Sequence, residues 1–457
     1  MSAVPVDVET DRQPPMALPL GHFLVGLALL VVGALVGALD AVGVVPGLGR
    51  LAHVHLLVAG WVCVTIMGAM TQFVPVWSNV PLYSRRLATA QLWLVTAGVG
   101  GMAVAFALGA LPWVHALGGL AVLGFWTFVY GLGRTLLAAR PWDVTERHFA
   151  VALACFAVVP TLGFALAMDY TVPVFGGLPV GRADVVAAHV TLAVFGVVCT
   201  TVVGALYQLA TMFTQTELHG VDTTLRRVEE VGYPVGVLAL ATGRLLGSAP
   251  LGRAGGVLVV VTLAGFAVVL ARRLVETEVE YNPMLARYAV AAVALGAWTV
   301  ATGRAWLADP LADATLLGST PHLLVFGVVG FVVTGTLYHV VPFVVWVHRY
   351  SDRLGFEPVP MVDDLYDDRL ATADFWVVLV GASGLVVVEA LELPSLVTAV
   401  AGALATLGFA LFAVNLALVV RRHSPHSVPD ILLSRPETGG STGDTTDEGA
   451  PSTGTTR

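Results

Sequence analysis

Apolar residues in this chain run in long stretches, and polar residues gather between them. Twelve stretches are long enough, at about 1.5 Å per residue, to cross the hydrocarbon core of a bilayer as helices. They cover residues 18–40, 52–76, 88–111, 114–136, 148–168, 184–213, 231–247, 254–274, 285–306, 320–347, 372–391 and 394–420. Pro, Gly or charged clusters separate them, as turns require. Residues 1–17 form a polar N-terminal segment without the basic start of a cleaved leader. Residues 421–457 are low in complexity and acidic, and read as a disordered tail. The pattern predicts an all-α polytopic membrane protein with twelve transmembrane helices over residues 18–420.

Three of the stretches resemble one another. "HVHLLVAGWVCVTIMGAMTQ" begins at His53, "HVTLAVFGVVCTTVVGALYQ" at His189 and "TPHLLVFGVVGFVVTGTLYH" at Thr320. A shift of 136 residues aligns the first with the second, and 267 the first with the third. Gly60, Gly196 and Gly327 then coincide, as do Gly68, Gly204 and Gly335. The first two strings agree at 11 of 20 positions and the last two at 10, where chance would give roughly three. This is an internal repeat on the second, sixth and tenth stretches. Its spacing of four helices makes the repeated units parallel, unlike the inverted repeats of many transporters.

Composition adds to the membrane reading. The chain is 57% hydrophobic and 12% charged, about half the charge of a soluble domain. No lysine occurs, and the net charge of −8 is spread over loops and tail. The bilayer is the expected partner, and no nucleic-acid partner is expected. Arg85, Arg86, Arg134, Arg140, Arg226, Arg227, Arg272, Arg273, Arg349 and Arg353 all follow even-numbered stretches. By the positive-inside rule both termini are expected in the cytoplasm of a cell-membrane protein, with the heads of the repeated helices near the outer surface. Cys63, Cys155 and Cys199 lie in apolar stretches without a CxxC spacing and read as small buried hydrophobes.

Five histidines fall on the repeated stretches: His53, His55, His189, His322 and His339. Ionisable groups in a membrane are costly and mark functional sites. Neutral imidazole is a good iron ligand, so histidines on facing helices could hold a heme by its axial positions. The alternative for each is a hydrogen-bonded bridge between helices. Gln72, Gln208, Tyr207, Tyr338 and His339 read as such bridges, and His148, His219, His348, His423 and His426 as solvated.

With these residues in view, the chain resembles subunit I of the heme-copper oxidases, the superfamily of cytochrome c oxidase and the nitric oxide reductase large subunit. The resemblance spans nearly the whole membrane region, to about residue 420. It rests on ligand histidines at the heads of helices 2, 6 and 10, and on "TPH…YHVVP" with Thr320, His322, His339 and Pro342. It implies three pseudo-threefold arcs of four helices, and a low-spin heme b between His53 and His322. Departures are equally specific. Thr320 stands where the family binds its high-spin heme, residues 231–247 contain no histidine pair, and Ala193 stands where oxidases carry a tyrosine. The full dinuclear-centre ligands are therefore lacking, and copper is not expected.

The family fold makes three pores between arcs. Positions two apart on a helix point roughly 200° apart, so the two histidines of HVH face different pores. Applied around the repeat, this places His55 with His189 at a second heme iron and leaves Thr191 and Thr320 for the third pore. Arg50 and Arg182 are candidate caps for heme propionates. The expected function is electron transfer, or response to nitric oxide or oxygen, through one or two bis-histidine b-type hemes, with other respiratory or redox subunits as partners. The alternative class is a transporter or assembly factor that has lost heme. An active oxidase or nitric oxide reductase subunit is the remaining reading.

Overall fold

The computed structural model describes residues 14–433. Among them the fold is helical throughout, with eleven helices long and apolar enough to cross a membrane. They are α1 (Ala17–Asp40), α2 (Gly49–Trp77), α3 (Arg85–Ala107), α4 (Leu111–Ala138), α5 (Val144–Met168), α6 (Arg182–Thr214), α8 (Ala249–Val275), α9 (Pro283–Ala308), α10 (Leu323–Arg353), α11 (Asp368–Leu391) and α12 (Ser395–His423). Between α6 and α8 lies α7 (Val221–Leu245). By length and composition the chain is a multi-pass membrane protein. Its outer faces are apolar too: Val104, Trp113, Leu123, Val293 and Trp376 are all exposed. Such residues have no place on a water-facing surface in these numbers, and suit lipid.

The expected helix at 231–247 is the one that differs. It begins ten residues earlier, and the charges in its first half keep it out of the apolar set. Those charges are partnered. Asp222 pairs with Arg272 and Arg273 of α8, Glu229 with His148 of α5, and Glu230 with Arg147. The polar half is helical because neighbouring helices satisfy it, a contribution that no apolar run reveals. At the other end of the chain, residues 421–423 continue α12 and Val428–Leu433 form a short helix, where a disordered tail was expected. Residues 1–13 and 434–457, which hold most of the expected polar segment and tail, lie outside the described part.

Each helix packs on its successor, and α12 packs back on α1. The repeated helices α2, α6 and α10 are innermost: 72%, 78% and 83% of their apolar windows are buried, against 33–61% for the others. Close approach depends on glycine at a few crossings. A Cβ on Gly255 of α8 would collide with the backbone of Leu240 on α7. Gly255→Ala is therefore expected to lower stability by about 1–3 kcal/mol through overpacking. A thermal unfolding midpoint in detergent equal to that of the unaltered protein would refute this.

Candidate functional site

Directly after the HVH position each repeated helix loosens into a π-helical stretch: Leu56–Val62 in α2, Leu192–Cys199 in α6 and Leu323–Gly330 in α10. The three starts coincide under the shifts of 136 and 267 residues. Each stretch holds one of the aligned glycines, Gly60, Gly196 or Gly327. A π turn adds a residue to the helical turn, misaligns backbone carbonyls and re-aims the side chains before it, and is frequent at functional sites. In α6 the displaced Phe195 carbonyl is taken up by the Thr200 hydroxyl at 2.9 Å and by the Tyr233 hydroxyl of α7 at 2.8 Å.

At this level the bundle encloses a cavity of about 760 Å³, within the roughly 300–1,000 Å³ of cofactor pockets. His53, His55, His189 and His322 all line it, with Asp40, Arg50, Arg182 and Glu389 among mostly apolar neighbours. The four histidines expected as two couples therefore line one common cavity.

Their hydrogen bonds fix the ring chemistry. His53 Nδ1 lies 2.8 Å from the Gly33 carbonyl of α1, and His189 Nδ1 3.0 Å from the Val159 carbonyl of α5. His55 Nδ1 lies 2.8 Å from the carbonyl of Leu51, one turn back. A carbonyl only accepts, so Nδ1 carries the proton in each, and in the neutral ring the Nε2 lone pair is left free. No hydrogen-bond partner takes up that Nε2 among the described residues. Metal-binding histidines are oriented in this way, with Nδ1–H held by a carbonyl or carboxylate. His322 is held differently: its Nδ1 has no hydrogen-bond partner, and Glu389 Oε2, 3.4 Å from it, accepts from the His322 backbone N–H.

The rings also have space made for them. A Cβ on Gly37 of α1 would run into the His53 ring, and one on Gly163 of α5 would come within 3.0 Å of His189 Cε1. Gly33 and Gly37 on α1 stand 126 residues before Val159 and Gly163 on α5. The carbonyl and the ring cradle therefore recur together. Phe106 lies beside His55 at 5.4 Å between ring centroids, and Phe326 stacks under His322 at 5.9 Å.

The position expected to be left with Thr191 and Thr320 is filled differently. Buried Arg244 of α7 donates to Thr191 Oγ1 at 2.7 Å and to the carbonyls of Pro310 and Leu316, both at 3.0 Å. Trp306 lies under its guanidinium at 5.2 Å. Arg50 lines the cavity and is exposed. Arg182 lines it too, held by Asp169 at 3.0 Å and by the Leu166 carbonyl. His148, expected to be solvated, is instead buried and bonded to Glu229 at 3.0 Å, because α7 extends far enough to cover it. His339 packs against Phe213, its ring tilted by 54°, and does not line the cavity. The three cysteines are buried and free.

Among the described residues no three His, Cys, Asp or Glu side chains converge as metal ligands. A bare ion would find two histidines in either couple, fewer than a closed site needs. A planar tetradentate group would need only those two. No protein-family model and no curated protein matches the chain.

Proposed function

We propose that this chain is a heme-binding membrane protein related to subunit I of the heme-copper oxidases. In this reading His53 with His322, and His55 with His189, hold two b-type hemes by their axial positions. The observation that carries it is one cavity lined by four histidines, three of which have Nδ1 tied to a backbone carbonyl and Nε2 without a hydrogen-bond partner. α7 counts as the twelfth crossing, its polar half shielded by α5 and α8. The closed order of helix contacts and the three π-helical stretches support three arcs of four helices. Both termini are placed in the cytoplasm and the histidines near the outer surface of the cell membrane, on the arginine distribution.

A six-coordinate heme supplies one-electron storage with little change of ligands. The protein's part is to orient the rings and keep water out. The Gly33 and Val159 carbonyls fix His53 and His189, while Leu57, Phe106 and Phe326 close the walls with apolar surface. Arg50 and Arg182 stand at the cavity as cationic partners for carboxylate groups of the cofactor. The activity this supports is electron transfer, or response to nitric oxide or oxygen where a histidine yields its place.

The test is the optical spectrum of protein purified in detergent, oxidised and dithionite-reduced, with heme quantified per chain. Sharp reduced α-bands at two hemes per chain are expected. Protein free of heme, from cells that load other cytochromes, would end this reading. It would leave a transporter or assembly factor, whose working parts would then be the buried pairs His148–Glu229 and Arg287–Asp374.

A further inference from the structure

None of the chain's 31 acidic residues lies between Asp40 and Asp143, although the net charge is −8. Five arginines do: Arg50 at the cavity, and Arg85, Arg86, Arg134 and Arg140 at the other end of α3 and α4. The fold gathers three of the second set. The Tyr83 backbone N–H donates to Thr135 Oγ1 at 3.0 Å, and Gly131 of α4 faces Leu87 of α3, so Arg85 and Arg86 stand level with Arg134. Tyr83 and Tyr130 meet edge to face with their hydroxyls 3.2 Å apart, and the Arg134 guanidinium lies 4.8 Å over the Tyr83 ring. All three arginines are exposed. No carboxylate pairs with them among the described residues. On α5 and α8, by contrast, Arg147 pairs with Glu230, and Arg272 and Arg273 with Asp222.

The cluster has a fixed relation to lipid. Arg134, Tyr130, Trp126 and Leu123 follow at i, i−4, i−8 and i−11 on one face of α4, and all are exposed. Arg86, Ala90, Trp93 and Ala97 form the matching exposed stripe on α3. Each stripe is apolar toward the middle of its helix, carries an aromatic ring on the way and ends on the cation. That order matches hydrocarbon, interface and headgroup, so the guanidinium groups stand at the depth of lipid phosphates. A guanidinium holds a phosphate through two parallel N–H bonds, and the Tyr83–Tyr130 pair keeps one hydroxyl hydrogen to offer. The ammonium of a zwitterionic headgroup would find no carboxylate there.

We propose that Arg85, Arg86 and Arg134, with Tyr83 and Tyr130, form a binding site for the phosphate of an anionic lipid headgroup. The arginine distribution puts this site in the cytoplasmic leaflet, whose anionic lipids attract such clusters. The proposal stands apart from the heme reading and needs only that α3 and α4 cross a bilayer.

The experiment is native mass spectrometry of the full chain in detergent, titrated with phosphatidylglycerol or with phosphatidylcholine of the same acyl chains. The first phosphatidylglycerol is expected to bind about tenfold or more tighter than the first phosphatidylcholine. Arg85→Gln, Arg86→Gln and Arg134→Gln together should abolish that preference, whereas Arg227→Gln, a change at an exposed arginine of α7, should keep it. Arg134→Gln alone alters one exposed side chain and should weaken the preference severalfold, which carries the test where the triple variant does not fold. Inorganic phosphate in large excess should leave the lipid bound. Displacement by phosphate would make the ligand a soluble anion and overturn the lipid assignment. Equal binding of the two lipids, or a preference unchanged in the arginine variants, would overturn the site and leave these arginines as interfacial anchors.

Discussion

Protein carrying His53→Ala is expected to keep one heme of two, His189→Ala to keep the other, and the double variant to bind none. The two residues are repeat equivalents with the same local construction, each lining the cavity and holding Nδ1 on a carbonyl of the preceding helix. Removing either takes away an axial ligand and leaves a buried carbonyl without its donor, so the couple should fail as a unit. His339→Ala is the control. That ring stacks on Phe343, packs tilted against Phe213 and does not line the cavity, so both hemes should remain. Gly37→Val and Gly163→Val should reproduce the two single losses, because their side chains would take the space of the His53 and His189 rings. Heme per chain from the reduced spectrum reads all of these. A double variant with its full heme complement would place the ligands elsewhere.

The helices and the cavity-lining histidines could be read from the chain because lipid makes their signals strong. Spans must be long and apolar, and an imidazole on such a span stands out. The repeat extended this, since equal spacing around three helices puts His53, His55, His189 and His322 at one level, where they line one cavity. What stayed hidden depended on partners distant in sequence. Half of α7 is charged, and only the folded bundle supplies His148, Arg147, Arg272 and Arg273 to meet Glu229, Glu230 and Asp222. Arg244 lies inside the span expected at 231–247, and nothing in the apolar pattern shows that it fills the position between Thr191 and Trp306. Gly37 and Gly163 did carry a signal. They recur at the same interval of 126 residues as His22 and His148, which lie on the same two helices, α1 and α5. The π-helical stretches left only the aligned glycines as a trace.

Asp374→Ala is expected to destabilise the fold by about 3–5 kcal/mol, the usual cost of leaving one member of a buried ion pair alone. Asp374 on α11 and Arg287 on α9 are each about 2% exposed in their side chains and joined directly. Arg287 also donates to the carbonyls of Pro283 at 2.8 Å and Ala371 at 3.1 Å, and lies 4.5 Å over the Tyr338 ring. Tyr338 of α10 donates to the second oxygen of Asp374 and accepts from Asn415 of α12 at 3.0 Å. Four helices therefore meet around one carboxylate, and its loss strands a guanidinium and a phenol together. The exposed pair Arg353–Glu357 provides the comparison, since breaking it should cost about 0–1 kcal/mol. Replacing both buried partners, as Arg287→Met with Asp374→Leu, should recover most of the loss, because no charge is then left unpaired. Unfolding midpoints in detergent across these variants measure the coupling. Equal effects of Asp374→Ala and Arg353→Ala would mean that water or lipid headgroups reach the buried guanidinium, and that the four helices are held by packing alone.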